Sequence, residues 1–195
     1  MYKFTEKKEA LQRILLLDNY DSFTFNLYHI LIGFDIELDV IKNDEIKTEN
    51  LSQYDKIILS PGPGLPKDAN LMMDVIAYAD SRIPLLGVCL GMQGIAEHLN
   101  GSIFNQDFVR HGEMEKISII NGELFKDLPN SMDVGLYHSW AVEKEGGDYI
   151  TNATSLNGTV MAIENRDRKL YGVQFHPESI MTPKGNKLIE NFLNL

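Results

Sequence analysis

The sequence predicts an α/β fold, in which an open, mostly parallel sheet carries helices on both faces and a small antiparallel extension. Two observations support this prediction. In the first half of the 195-residue chain, short apolar runs alternate with longer amphipathic segments, which is typical of strand–helix–strand units. In the second half, short β-like runs are separated by turn-forming dipeptides, namely Asn121-Gly122, Gly146-Gly147 and Asn157-Gly158.

Four strands and three helices are predicted in the first hundred residues. Each strand is an apolar run bounded by turn residues, at 14–17, 36–41, 56–59 and 84–88. The first helix is predicted over 21–32, with Asp21 or Ser22 as its N-cap and Gly33 at its end. Two further helices are predicted over 70–80 and 92–99.

The second half contains β-like runs and a final helix. The runs cover 116–120, 133–137, 149–154, 160–164 and 170–175, and an amphipathic helix is predicted over 185–195. Because no segment has the composition of a linker, residues 14–195 are predicted to form a single domain. Residues 1–13 are predicted to be a mobile N-terminal extension.

Composition and charge narrow the classes of function. The formal net charge of -10 argues against binding to nucleic acid or to anionic membranes, since both need excess Lys and Arg. Cys89 is the single cysteine, so an internal disulfide cannot form. No segment has the apolar length of a signal peptide core or a transmembrane helix. We therefore expect a cytoplasmic protein that binds neither nucleic acid nor membranes.

The candidate nucleophile is Cys89, in the stretch Gly87-Val88-Cys89-Leu90-Gly91 between a predicted strand and a predicted helix. A Gly-x-nucleophile-x-Gly pattern is typical of a sharp strand-to-helix elbow, whose small glycines permit the turn and expose the nucleophile. The helix N-terminus favours negative charge, and the Leu90 N–H points to where an oxyanion would form. A free cysteine is more often a small buried apolar residue, but the strand–helix context favours the nucleophile.

The candidate base is His176, in the stretch His176-Pro177-Glu178. Proline keeps the preceding residue extended, and residues two apart in an extended chain point to the same side. His176 and Glu178 should therefore project together, so that the carboxylate orients the imidazole as in a catalytic triad. The alternative is an ordinary surface turn without a chemical role.

A third stretch, Ser60-Pro61-Gly62-Pro63-Gly64, follows the third predicted strand. Prolines have no N–H, so Gly62 and Gly64 are the free donors after Ser60. An accessible glycine N–H between rigid prolines suits a preorganised oxyanion donor. Pro-Gly pairs also mark ordinary turns, so this stretch is informative only together with the other two.

Together these stretches resemble the class I (triad) glutamine amidotransferases, and most closely the small subunits of anthranilate synthase and aminodeoxychorismate synthase. The resemblance extends from residue 14 to residue 195. It is carried by Asp18-Asn19-Tyr20-Asp21-Ser22-Phe23-Thr24, Ser60-Pro61-Gly62-Pro63-Gly64, Gly87-Val88-Cys89-Leu90-Gly91-Met92-Gln93, Tyr137-His138-Ser139 and Gly172-Val173-Gln174-Phe175-His176-Pro177-Glu178-Ser179.

The resemblance implies a flavodoxin-like amidotransferase fold and a role for each site residue. Cys89 would attack the side-chain amide of glutamine to form a γ-glutamyl thioester, His176 would transfer protons, and Glu178 would orient His176. The oxyanion hole would be formed by Gly62 and Leu90. Glutamine would be held by Gly62, Pro63, Gly64, Gln93, Ser139 and Trp140.

The resemblance also implies what the chain needs from outside. No metal or organic cofactor is expected on this chain. The ammonia would be used by a chorismate-binding large subunit, which would itself use magnesium. The anthranilate and aminodeoxychorismate pathways both stay open, although the continuation Ile180-Met181-Thr182 favours the anthranilate type.

The sequence departs from the family pattern at two places. Where these subunits usually carry Arg-Tyr-His-Ser-Leu, this chain has Leu136-Tyr137-His138-Ser139-Trp140. Where they usually carry His-Gly-Lys, it has His111-Gly112-Glu113. Neither departure touches the triad, but both are expected near the glutamine pocket or the partner interface.

Three other functions are compatible with parts of the sequence. A stand-alone cysteine hydrolase of the same fold, such as a peptidase or γ-glutamyl hydrolase, is disfavoured by Gln93 and Ser139. A catalytically silent regulatory scaffold is disfavoured by the complete triad. A nucleotide-binding flavodoxin-like domain would leave Cys89, His176 and Glu178 without a role.

Overall fold

The computed structural model describes residues 11–195, in which nine strands and four α-helices are defined. The strands are β1 (Gln12–Asp18), β2 (Ile36–Lys42), β3 (Lys56–Leu59), β4 (Leu85–Val88), β5 (Ile103–Ile119), β6 (Ser131–Val142), β7 (Ile150–Ser155), β8 (Val160–Asn165) and β9 (Leu170–Val173). The helices are α1 (Thr24–Leu31), α2 (Met72–Ala79), α3 (Leu90–His98) and α4 (Gly185–Leu193).

The nine strands form one sheet in the order β2-β1-β3-β4-β9-β8-β7-β5-β6. The first five strands of this order are parallel to one another, and the remaining pairs are antiparallel. The predicted parallel sheet with an antiparallel extension is therefore confirmed. The extension continues the same sheet, because β8 pairs with β9 at the edge of the parallel half.

Strand β1 shows how the two faces of the sheet are covered. Its residues Ile14 and Leu16 belong to one buried cluster, together with Leu27 of α1 and Phe192 of α4. Its alternate residues Leu15 and Leu17 belong to a second cluster, which contains Val75 and Ile76 of α2 and Ile95 of α3. Because both faces bury apolar side chains, the strand reads as a continuous apolar run. The predicted helices on both faces are confirmed.

The beginning of β1 corrects one predicted boundary. The predicted N-terminal extension includes Gln12 and Arg13, but both are paired with β2. The Arg13 N–H donates to Asp55 at 2.7 Å, and its guanidinium forms an ion pair with Asp39 at 2.8 Å. Because Arg13 is polar, it does not extend the apolar run, although its hydrogen bond and ion pair hold it in the strand. The apolar pattern therefore underestimates the length of β1. Residues 1–10 of the predicted extension lie outside the described residues, and Leu11 precedes the strand.

The predicted cap of the first helix is wrong. Helix α1 begins at Thr24, and neither Asp21 nor Ser22 caps it. The Asp21 carboxylate instead accepts the Phe23 N–H at 2.8 Å, which forms a turn before the helix. The Asp18 carboxylate accepts the hydroxyl of Thr24 at 2.7 Å, so a residue of β1 holds the first turn.

Strands β5 and β6 are much longer than the predicted runs at 116–120 and 133–137. The first part of β5 pairs only with β6, and most of its side chains are at least partly exposed. Without a buried face, the apolar alternation that marks a strand is missing. The extra length of β6 takes in His138, Ser139 and Trp140. Within residues 11–195, no helix is long and apolar enough to cross a membrane.

The turn between β4 and α3 has an unusual backbone at Cys89, with φ 52° and ψ -102°. Its flanking glycines leave no room for a side chain. A Cβ on Gly87 would lie 2.3 Å from the carbonyl carbon of Gly91, and a Cβ on Gly91 would lie 2.8 Å from Cβ of Leu59. The predicted elbow is therefore present, and its tightness explains both glycines.

We expect Cys89→Gly to be more stable than Cys89→Ala by about 1 kcal/mol, because only glycine adopts a positive φ without a steric penalty. Both variants lack the sulfur, so the comparison isolates the backbone. The measurement is the free energy of unfolding in urea.

The control is Ala77→Gly in helix α2, where Ala77 is exposed. There the same change of residue should lower stability by about 1 kcal/mol. Equal stability of Cys89→Gly and Cys89→Ala would contradict a strained elbow.

Candidate active site

Three segments that follow neighbouring parallel strands meet at one edge of the sheet. The Ser60–Gly64 loop follows β3, Cys89 follows β4, and Gln174 to Glu178 follow β9. The carboxyl ends of parallel strands are the usual position of ligand sites in such sheets. The Cys89 N–H donates to the Val173 carbonyl at 2.8 Å, which ties the elbow directly to the end of β9.

His176 and Glu178 form a buried pair, as predicted, but the stretch is a turn and is not extended, because the Ser179 N–H donates to the His176 carbonyl at 3.1 Å. Nδ1 of His176 lies 2.7 Å from Oε1 of Glu178, and their side chains are 2% and 0% exposed. The backbone of His176 is held at both ends: its N–H donates to the Gly135 carbonyl at 3.1 Å, and its carbonyl accepts the Thr182 hydroxyl at 2.7 Å. The imidazole therefore has a fixed position.

The surroundings of His176 favour its protonated form. The rings of Phe23 and Tyr137 pack against it, with centroids 4.9 and 4.8 Å away. Burial lowers the pKa of His176, but favourable interactions of the protonated ring with Cys89 and Glu178 are stronger and raise the pKa to about 10. Nε2 is buried without a hydrogen-bond partner in residues 11–195, so this nitrogen is available for chemistry.

A cavity of about 230 Å³ opens in front of the nucleophile. It is smaller than the pockets of roughly 300–1,000 Å³ that hold drug-sized ligands, so it suits a substrate of amino-acid size. The residues predicted for the oxyanion hole and for glutamine binding all line it. The full lining consists of Gly62, Pro63, Gly64, Cys89, Leu90, Gln93, Tyr137, His138, Ser139 and Trp140.

A buried amide network supports the Ser60–Gly64 loop. The backbone N–H and the side-chain amide of Asn19 donate to the hydroxyl and the carbonyl of Ser60, both at 2.8 Å. Asn43 in turn donates to the side-chain oxygen of Asn19 at 3.0 Å. A Cβ on Gly62 would lie 2.6 Å from Leu90 and 2.7 Å from Asn19. The loop is thus pressed against the residue that follows the nucleophile.

Two polar residues at the site were missed in the sequence. The carbonyl of Trp140 accepts Nε2–H of Gln93 and Nδ1–H of His138, both at 2.9 Å. The amide of Gln174 reaches the Cys89 sulfur at 3.5 Å. A signal for Gln174 was present, because it lies in Gly172-Val173-Gln174-Phe175-His176-Pro177-Glu178-Ser179, one of the stretches that carry the resemblance. His138 also lies in such a stretch, Tyr137-His138-Ser139, but it was given no role, and the predicted run ended before it, at residue 137.

The departures from the family pattern fall in different surroundings. Leu136 is fully buried in the apolar cluster and does not line the cavity. Glu113 is exposed and pairs with Arg110 at 3.3 Å. Only Trp140 lines the cavity, where its carbonyl is held by the two donors described above.

We expect His138 to make stability sensitive to acid. Burial lowers the pKa of His138 to about 4, with His176 and Arg110 adding to the effect and the bond to Trp140 opposing it. Between about pH 6.5 and 4 the unfolded chain therefore binds more protons, so stability falls as the pH falls through this range.

The matched variant is His138→Asn, whose amide can still donate to the Trp140 carbonyl but does not titrate. From pH 7 to pH 5 the wild type should lose about 1–2 kcal/mol more unfolding free energy than this variant. Urea unfolding at both pH values measures the difference. Equal losses in the two proteins would show that His138 is not held neutral.

The comparison with known proteins identifies the family. Residues 15–195 match the family described as glutamine amidotransferase class-I. Anthranilate synthase component 2 from Methanothermobacter thermautotrophicus is 42% identical over 195 residues, covering 93% of this chain and 98% of that protein. Aminodeoxychorismate synthase component 2 from Escherichia coli K12 is 40% identical over 186 residues, covering 93% and 99%.

A solved structure gives the same result for the fold. The crystal structure of a Thermoplasma acidophilum protein, which is named as part of a GMP synthase, superposes with a TM-score of 0.85 at 26% identity. The match covers 95% of this chain and 94% of that one. With the family match extending over residues 15–195, this chain belongs to the class I glutamine amidotransferases.

Proposed function

We propose that this chain is the glutamine-hydrolysing subunit of anthranilate synthase, which releases ammonia from L-glutamine for a chorismate-using large subunit. The observation that carries the chemistry is the buried pair of His176 and Glu178, 2.7 Å apart, beside the elbow of Cys89. Three anthranilate synthase components that share 40–42% identity with this chain over 98% of their own lengths support the pathway.

In the first half of the reaction, the Cys89 thiolate attacks the side-chain carbonyl carbon of glutamine. The carbonyl electrons move onto oxygen, where the N–H groups of Gly62 and Leu90 stabilise the charge. His176 gives its Nε2 proton to the amide nitrogen as the carbon–nitrogen bond breaks. Ammonia leaves, and a γ-glutamyl thioester on Cys89 remains.

In the second half, water attacks the thioester and His176 takes a proton from it. The raised pKa of His176 depends partly on Cys89. Once the sulfur is acylated it carries no charge, so the pKa of His176 falls and the neutral ring can act as a base. Glutamate leaves as the thiolate forms again, and Glu178 keeps Nδ1 protonated and the ring oriented throughout.

The substrate would occupy the 230 Å³ cavity. Gln93, Ser139 and the backbone of Gly64 and Trp140 would hold its amino-acid end, while its amide faces Cys89. The mechanism uses no metal or organic cofactor on this chain, and magnesium would serve the large subunit. A thiol that must stay reduced is compatible with a cytoplasmic location.

The surface around the cavity supports assembly with a partner. We define the mouth face by five exposed apolar residues that adjoin the site along the chain or within the sheet. They are 50–96% exposed and comprise Tyr20, Phe25, Phe108, Val109 and Ile180. Of these five residues, Ile180 also lines a groove of about 530 Å³, together with Glu178 of the triad. Exposed apolar surface next to a functional site is typical of a protein–protein interface.

The second candidate is the amidotransferase component of aminodeoxychorismate synthase, or a subunit shared by both enzymes. It is favoured by the 40% identity to the Escherichia coli protein, which is nearly as high as the identity to the anthranilate synthase component. The glutaminase chemistry would be the same in both cases. Only the large subunit would decide the product.

Replacement of the nucleophile is expected to abolish glutamine-dependent synthesis. The assay contains this chain, an anthranilate synthase large subunit from the same organism, chorismate and magnesium, and it follows anthranilate fluorescence. With glutamine as the nitrogen source, Cys89→Ser should lower the rate by about 10⁴-fold or more, since the mechanism begins with the thiolate. With an ammonium salt instead of glutamine, wild type and variant should give equal rates.

The same assay separates the alternatives. Glutamate release without anthranilate would shift the assignment to aminodeoxychorismate synthase, provided that the large subunit makes anthranilate from ammonia. Turnover of a peptide in place of glutamine would indicate a stand-alone hydrolase. The absence of a Cys89-dependent adduct with a glutamine-analogue electrophile, even in the assembled complex, would indicate a silent scaffold.

We expect Ile180→Asp to weaken association with the large subunit by about tenfold or more in Kd, because it puts a charge into an apolar contact. The control is Leu156→Asp. Leu156 is also exposed, at 73% against 96% for Ile180. It directly follows β7, and β7 pairs with the end of β5 that lies far from Trp140. Titration calorimetry measures both affinities. Equal weakening by the two variants would show that the mouth face is not part of the interface.

A further inference from the structure

Gln174 is a fully buried polar residue at the first position after β9. Its backbone N–H donates to the Met161 carbonyl at 2.9 Å, so the backbone already has a partner in the sheet. The side chain is not needed for this pairing. A buried carboxamide is costly unless its polar atoms are bonded, so the partners of the Gln174 side chain indicate what it does.

The side chain of Gln174 connects the nucleophile to a cavity-lining residue. Its Nε2–H donates to the Cys89 sulfur at 3.5 Å, and its Oε1 accepts Nε2–H of Gln93 at 3.2 Å. The same Nε2 of Gln93 also donates to the Trp140 carbonyl at 2.9 Å. A continuous line of hydrogen bonds therefore runs from the sulfur to the strand that closes the cavity.

The orientation of this line follows from one acceptor. The Trp140 carbonyl can only accept, so Gln93 must present its NH₂ group there. The second N–H of that group reaches Gln174, which must accept the hydrogen bond with its side-chain oxygen. The NH₂ group of Gln174 is then turned to Cys89, and a donor at this position favours a thiolate over a neutral thiol.

We propose that Gln174 is a positioning residue that stabilises the anionic sulfur of Cys89 and fixes its place relative to Gln93. This inference rests on the proposed function, because it assigns Gln93 to substrate binding and Cys89 to attack. A single rigid carboxamide would set the distance between the nucleophile and the group that holds glutamine. Such preorganisation places the reacting atoms before the substrate arrives.

The test uses Gln174→Met, which keeps the length of the side chain but removes both hydrogen bonds. The full chain is alkylated with iodoacetamide between about pH 5 and 10, and the modified fraction is read by mass spectrometry. Because Cys89 is the only cysteine, the signal reports this thiol alone. The pH of half-maximal alkylation should rise by about one unit in the variant, which corresponds to about 1.4 kcal/mol.

Two other variants complete the design. Gln93→Met leaves Gln174 beside the sulfur. It should therefore move the alkylation midpoint by less than half of the shift expected for Gln174→Met, and it should mainly raise KM for glutamine. Gln174→Met should mainly lower kcat. Asn191→Leu is the control for the loss of a buried amide, since Asn191 bonds two carbonyls beneath α4 and does not touch the cavity. It should destabilise the chain without moving the midpoint.

A midpoint in Gln174→Met within about 0.2 pH units of the wild type would overturn the proposal. If this variant does not unfold cooperatively in urea, Gln174→Leu replaces it in the same assay under the same criterion. The alkylation needs neither glutamine nor a partner. If the midpoint shifts in the variant but the wild type turns over no glutamine, the contact is supported and the proposed function is contradicted. If the wild type turns over glutamine normally and the midpoint does not shift in the variant, only the role of Gln174 is contradicted.

Discussion

The parallel pairing of β4 with β9 determines where the reactive groups meet. Val88 lies opposite Val173 in this pair, and the next residue, Cys89, donates its N–H to the Val173 carbonyl at 2.8 Å. Beyond Val173 the chain bends at Gln174 and Phe175, and the Gln174 side chain reaches the Cys89 sulfur. A shift of one residue in this register would bring a side chain from the other face of the sheet to the position of Gln174. The register is held by the apolar residues of both strands, which are fully buried except for Tyr171, itself 6% exposed.

A second constraint is steric. At the elbow the backbone of Gly87 touches that of Gly91, and the loop at Gly62 touches both Leu90 and Asn19. These contacts leave no space for the segments to move closer together. The buried amides of Asn19 and Asn43 then satisfy the polar groups that such close packing removes from water. Packing and hydrogen bonding therefore position the same loop.

The parts that the sequence predicted correctly are those whose causes are local. The parallel strands are continuous apolar runs, the elbow needs two glycines around one nucleophile, and His176 and Glu178 are two residues apart. The contacts that were missed join residues far apart in the chain, such as Gln174 with Cys89 or Asn19 with Ser60. The length of β5 was missed for a different reason, because a strand with few buried side chains has no apolar period to detect.

The distribution of unpaired polar atoms distinguishes this site from the rest of the fold. Within residues 11–195, four buried side-chain atoms lack a hydrogen-bond partner, and three of them belong to His138, His176 and Glu178. Each such atom costs about 1–3 kcal/mol when it stays unpaired. The strained backbone of Cys89 adds a further cost at the same place. A sequence selected only for stability would not concentrate these costs at one site. They are explained if the site is organised for a bound substrate and a moving proton. These would provide the hydrogen bonds that the unpaired atoms lack in the folded chain.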